Sequence, residues 1–78
     1  GMDSGESTDL FEALKDLRKR LADEEVLPAY IVLSDKVLHL LAAQRPTTLE
    51  AFGNVSGISE YKKRKYGKEF VKLIRRFV

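Results

Sequence analysis

Few residues in this 78-residue sequence have the types that do chemistry. His39 is the only histidine, and Glu24, Glu25 and Asp35 are the carboxylates to weigh as acid/base partners. A general acid or base needs a second group placed to shift its pKa, and no spacing here supplies one. Carboxylates at helix ends are the simpler reading. His39 follows Leu38 inside an apolar repeat, with no neighbouring histidine, cysteine or carboxylate pair at metal-ligand spacing. Ser34, Ser56 and Ser59 stand where caps and turns are expected and have no base beside them. The sequence has no cysteine, which removes thiolate nucleophiles, cysteine zinc sites and disulfides together and fits a reducing compartment. Catalytic residues, metal ligands and a cofactor are therefore not expected.

Tyr30 offers a different kind of chemistry. It follows Pro28-Ala29 at a connection between helices, where its ring is either buried with a bonded hydroxyl or exposed as a platform. Lys15, Arg18 and Lys19 come from the preceding helix, and Lys36 opens the following one. An exposed aromatic ring surrounded by cations suits single-stranded nucleic acid. Bases stack on the ring and cations hold the phosphates, at about 1–3 kcal/mol per stacked base.

A second candidate lies at Gly57-Ile58-Ser59, followed by Lys62-Lys63-Arg64-Lys65 and Lys68. A glycine turn that opens a helix presents free amides to a phosphate, and the lysines add charge. The arrangement is like a helix-hairpin-helix. The usual second glycine is replaced by Ser59, which also reads as an ordinary helix cap.

Helices must position all of these groups. Residues 1–8 (GMDSGEST) lack apolar periodicity and read as a flexible lead-in, with Gly1-Met2 resembling a junction. Residues 9–78 form the domain, read as a piece of a longer protein. Asp9 and Glu12 make a capping box for a first helix whose stripe is Leu10, Leu14, Leu17 and Leu21. That helix fades at Asp23-Glu24-Glu25. The apolar segment 26–33 reads as a short helical or extended turn wedged into the core, since a lone strand has no partner. Ser34 caps the next helix, which carries Val37, Leu38, Leu41 and Ala42 inward until Pro46 stops it. Thr47 and Glu50 form another capping box, opening a short helix that carries Leu49 and Phe52 into the core. Ser59 caps the last helix. Its apolar side is Tyr66, Phe70, Leu73, Ile74 and Phe77; its cationic side is Lys68, Lys72, Arg75 and Arg76, extended backward by Lys65. Gly67 inside it marks close packing or a bend. The fold class is all-α, a compact bundle of about five short helices.

Charge is distributed unevenly along the chain. The net +2 combines five Lys/Arg and nine Asp/Glu in residues 1–39 with nine Lys/Arg and three Asp/Glu in residues 40–78. One basic end on a nearly neutral domain points to a polyanion more than the total does. No apolar run is long enough to cross a bilayer.

Taken together, these motifs resemble the HRDC domain, the helicase-and-RNase-D C-terminal module. The resemblance rests on Leu10-Phe11-x-x-Leu14-x-x-Leu17-Arg18-x-x-Leu21-Ala22, Leu27-Pro28-x-Tyr30-Ile31-Val32 and Ser34-Asp35-x-x-Leu38. It continues through Arg45-Pro46-Thr47, Val55-x-Gly57-Ile58, Lys62 and Tyr66-Gly67-x-x-Phe70, covering about residues 9 to 78. It implies a five-helix bundle (SAM-like) trailing the core of a RecQ-type ATP-dependent 3'-5' DNA helicase or of RNase D. In bacterial RecQ members the tyrosine at the position of Tyr30 is implicated in single-strand contact. Ala29 stands where a second proline is common, and Ser59 where a glycine is common.

The resemblance implies a non-catalytic auxiliary domain that contacts single-stranded or junction DNA weakly. The expected contacts are Tyr30, Lys15, Arg18, Lys19 and Lys36, with Lys62, Lys63 and Lys65 as a second patch. Its other expected partner is the helicase core of the same chain, in a cytoplasmic, nucleoid-associated monomer. Two alternatives share the fold: a docking module using Asp23-Glu24-Glu25 or segment 26–33, and an RNA-binding tail of an RNase D.

Overall fold

The computed structural model describes residues 5–78, with side chains from Asp9 onward. Five helices follow in order: α1 (Gly5–Glu25), α2 (Ala29–Val32), α3 (Asp35–Gln44), α4 (Leu49–Gly53) and α5 (Glu60–Arg75). The all-α expectation holds, and no strand occurs among the described residues. Residues 1–4 of the expected lead-in lie outside the described residues. Gly5–Thr8 already belong to α1, so Asp9 sits inside the helix and does not cap it.

The leucine stripe of α1 builds the core as its spacing requires. Leu10, Leu14, Leu17 and Leu21 are all buried, together with Val32, Leu33, Val37, Leu38, Leu41, Phe52, Phe70 and Ile74. α1 packs against α2 and α3 on one side and against α5 on another, while α4 packs on α5. Ion pairs Arg20–Glu69 (3.6 Å) and Glu25–Lys65 (3.0 Å) show α1 and α5 running antiparallel. Phe52 and Phe70 stack with ring centroids 5.9 Å apart and join α4 to α5. Burying each such ring stabilises the fold by about 1.5–3 kcal/mol.

The ends of the helices show how local chemistry sets the geometry. α1 closes with Leu27 N–H donating to the Ala22 carbonyl (2.9 Å) and Val26 N–H to the Asp23 carbonyl (3.2 Å). This is a Schellman arrangement, and it places Val26 at φ 56, a left-handed conformation that a β-branched residue rarely adopts. Ser34 Oγ accepts from Val37 N–H and Ser59 Oγ from Lys62 N–H, as their positions predict. The cap of α4 is Thr48, whose Oγ1 accepts from Ala51 N–H, and not Thr47. With the start shifted by one, the third helical position is Ala51, so Glu50 has no place in a capping box.

Three side chains on and just after α4 and α5 depart from the expected core. Leu49 remains 43% exposed and Phe77 is also exposed, while Val71 is buried. Phe77 lies beyond the end of α5, where helical periodicity no longer aims it. Leu49 opens α4 and leans over Gly67 instead of entering the core. A Cβ on Gly67 would collide with Leu49 Cδ1 and stand 3.2 Å from Phe52 Cδ2, so the glycine marks close packing. Segment 26–33 contains the one-turn α2, with Val32 and Leu33 buried at its end.

Candidate nucleic-acid interface

Pro28 fixes the entry to α2 with φ −61, and the single turn that follows splits its side chains between core and solvent. Val32 goes inward. Tyr30 stays 67% exposed, and its ring makes no stacking, cation or hydrogen-bond contact among the described residues.

Arg18 is not part of the surface beside it. It is only 9% exposed, and its guanidinium is spent on the fold. One Nη1 donates to the Leu33 carbonyl at 2.9 Å and meets Asp35 Oδ1 at 2.8 Å. Arg18 therefore clamps the middle of α1 to the α2–α3 junction just after Tyr30. The guanidinium, first by hydrogen bond and then by charge, holds the Asp35 carboxyl below the usual carboxylate range. Its Nε is buried without a partner, the one such buried side-chain atom among the described residues.

The other cations of the first group are exposed. Lys15 Nζ lies over the Phe11 ring at 5.5 Å, and Phe11 stacks on His39 of α3 with centroids 4.2 Å apart. The charges of His39 and Lys15 both reach Asp35, so this part of α1 and the start of α3 share one surface. Lys36 sits in the first turn of α3 with no ion pair among the described residues. Lys19 pairs with Asp23 at 3.2 Å, one turn along the exposed face of α1. An exposed pair of this kind contributes little and is easily exchanged.

The second group is compensated from within. Lys63 and Arg64 both face Glu60, at 3.5 and 3.6 Å. Lys65 Nζ pairs with Glu25 and donates to Tyr61 Oη at 3.1 Å. These contacts raise the Lys65 pKa, the Tyr61 bond most strongly. Lys62 and Lys68 lack an ion pair among the described residues, and the Lys62 amide is taken by Ser59. Glu60 already supplies negative charge to the first turn of α5, where a phosphate would otherwise sit. Gly57 does form the expected turn, with φ +95 and Ile58 N–H donating to the Val55 carbonyl at 3.2 Å. Lys63, Arg64 and Lys65 are thus each paired with a carboxylate, whereas Tyr30 and Lys36 have no such partner among the described residues.

No trio of His, Cys, Asp or Glu placed to hold a metal occurs among the described residues. No described helix is long and apolar enough to cross a membrane. Sequence reasoning missed a surface groove beside Leu49, lined by Lys68, Val71, Lys72 and Arg75. Nothing in the periodicity announces it, because Leu49 has the type of a core residue.

Comparison with known proteins matches this architecture closely. The HRDC domain family matches residues 7–74. The ATP-dependent DNA helicase RecQ of Bacillus subtilis (strain 168) is 32% identical over 72 residues, covering 92% of this chain and 12% of that protein. The RecQ of Pasteurella multocida (strain Pm70) is 38% identical over 66 residues, covering 85% of this chain and 10% of that protein. The chain thus spans about a tenth of the length of these relatives. Among solved structures, the D. radiodurans RecQ HRDC domain 3 superposes with a TM-score of 0.86 at 34% identity, covering 90% of this chain and 92% of that one. A family match over nearly the whole sequence, with the five helices in place, settles the affiliation: the chain belongs to the HRDC domain family.

Proposed function

We propose that the chain is the HRDC module of a RecQ-type ATP-dependent DNA helicase and acts as a non-catalytic monomer that binds single-stranded or junction DNA. It requires no cofactor of its own, and its place is with the DNA in the cytoplasm. The observation that carries this reading is the unpartnered, exposed ring of Tyr30. A base stacks on that ring, while Lys36 and Lys15, with Lys19 released from Asp23, supply charge for the phosphates. Phosphate contacts few in number and one stacking platform give weak, sequence-tolerant binding that falls with salt. Arg18 contributes indirectly, by holding the α2–α3 junction in place.

Titrating the chain into labelled oligo-dT and following fluorescence anisotropy tests this. Tyr30→Ala is expected to weaken binding by about 5- to 150-fold, the equivalent of 1–3 kcal/mol. Lys62→Ala is expected to leave it within about twofold. Unchanged affinity on removing Tyr30, with loss on removing Lys62, would place the contact on the wrong face.

A further inference from the structure

The outer face of α5 combines two properties. The first is charge without compensation. Arg18, Lys19, Arg20, Lys63, Arg64 and Lys65 each have a carboxylate within 4 Å. Lys68, Lys72 and Arg75 have none among the described residues. They recur at intervals of four and three, so they line one edge of the helix.

The second property is an apolar floor beneath those cations. Leu49, on the first turn of α4, and Val71 of α5 form the base of an open groove of about 370 Å³, with Lys68, Lys72 and Arg75 around its rim. The groove is held open by local structure. Gly67 lets Leu49 settle against the α5 backbone, and Arg75 Nε–H donates to the Thr47 carbonyl at 2.8 Å, fixing the start of α4 against α5. That bond also holds the Arg75 guanidinium at the rim.

We propose that this groove is a docking site for an acidic peptide segment that carries aliphatic side chains, a surface separate from the one bearing Tyr30. Apolar side chains of the segment would cover Leu49 and Val71, and flanking carboxylates would meet the three cations. Charge complementarity selects the occupant. A nucleic-acid strand would satisfy the rim, but it has little use for an aliphatic floor that contains no aromatic ring to stack a base. An acidic, aliphatic segment uses both, as amphipathic segments do in hydrophobic grooves with charged rims.

The test uses a fluorescein-labelled peptide of alternating aspartate and leucine, the same peptide with serine for leucine, and oligo-dT. Chain amide shifts are followed by NMR. The leucine peptide is expected to bind saturably, with shifts at Leu49, Val71 and Lys72 and none at Tyr30. The serine peptide should bind at least about tenfold more weakly, the equivalent of one buried leucine. Lys72→Glu and Leu49→Ser should each reduce leucine-peptide binding at least about fivefold while leaving oligo-dT affinity within twofold. Tyr30→Ala should do the reverse, so failure of this proposal is distinguishable from failure of the DNA-binding reading. The proposal is overturned if the two peptides bind alike, if neither binds, or if oligo-dT displaces the leucine peptide and shifts the groove residues itself.

Discussion

At the scale of single residues, Arg18 and Tyr30 show how neighbours in sequence part company in the fold. Both look like ligand contacts when read as an aromatic among cations, yet one is buried and the other exposed. The helical wheel holds the clue for Arg18, since Leu14 and Ala22 lie four residues to either side and both are buried. A cation flanked in this way is aimed at the core, and the carbonyl of Leu33 is what it meets there. Arg18→Ala should therefore destabilise the domain by about 1.5–3 kcal/mol, the usual worth of a hydrogen bond from a charged donor. Urea unfolding measures this directly, and Tyr30→Ala in the same assay should stay within about 0.5 kcal/mol of the parent. An Arg18→Ala protein of unchanged stability would deny the clamp. The exposure of Tyr30 itself was not legible, because periodicity cannot assign faces in a helix of a single turn.

At the scale of elements, the sequence spoke clearly wherever a side chain competes for a backbone amide. Ser34 and Ser59 are caps by type and position, and both cap. Adjacent threonines defeat the same logic at α4, where either could cap and Thr48 does. The start of α1 was hidden for a related reason. Capping chemistry at Asp9 looked sufficient, but the helix extends past it through residues with no apolar signal. Gly57 is the element-scale residue that permits no substitute. Its φ of +95 disfavours any side chain, and a Cβ would stand 2.7 Å from Val37 Cγ2. Gly57→Ala is expected to cost about 1–3 kcal/mol, combining backbone strain with a steric contact. The midpoint of urea unfolding reports it, and an unshifted midpoint would mean the turn relaxes freely. The groove at Leu49 belongs to this scale too. It arises from how α4 lies across Gly67, a relation between elements that no single stretch of sequence displays.

At the scale of the whole molecule, charge is sorted into compensated and uncompensated regions more sharply than the half-by-half balance suggests. The basic run 62–65, the strongest sequence signal for a polyanion, is largely neutralised by Glu60 and Glu25. The Glu60 pairs follow from i,i+3 and i,i+4 spacing within α5, whereas the Glu25–Lys65 pair is invisible until α1 and α5 are set side by side. One long-range pair also links the fold to pH. Asp35 has its pKa lowered by Arg18, so it binds its proton less readily folded than unfolded. The stability it provides is complete above the unfolded carboxylate pKa of about 4 and is lost as pH falls through its lower folded value. Thermal unfolding should show a constant gap between the parent and Asp35→Asn from pH 5 to 8, narrowing below about pH 4. A gap that persists undiminished into strong acid would contradict the pairing.

The measurement that bears most directly on DNA recognition is an NMR titration of the chain with oligo-dT at low and moderate salt. The account predicts amide shifts centred on Tyr30, Lys36 and the Lys15–Lys19 turn of α1, fading as salt is added. Shifts confined to residues 62–68, or none at any workable concentration, would contradict it.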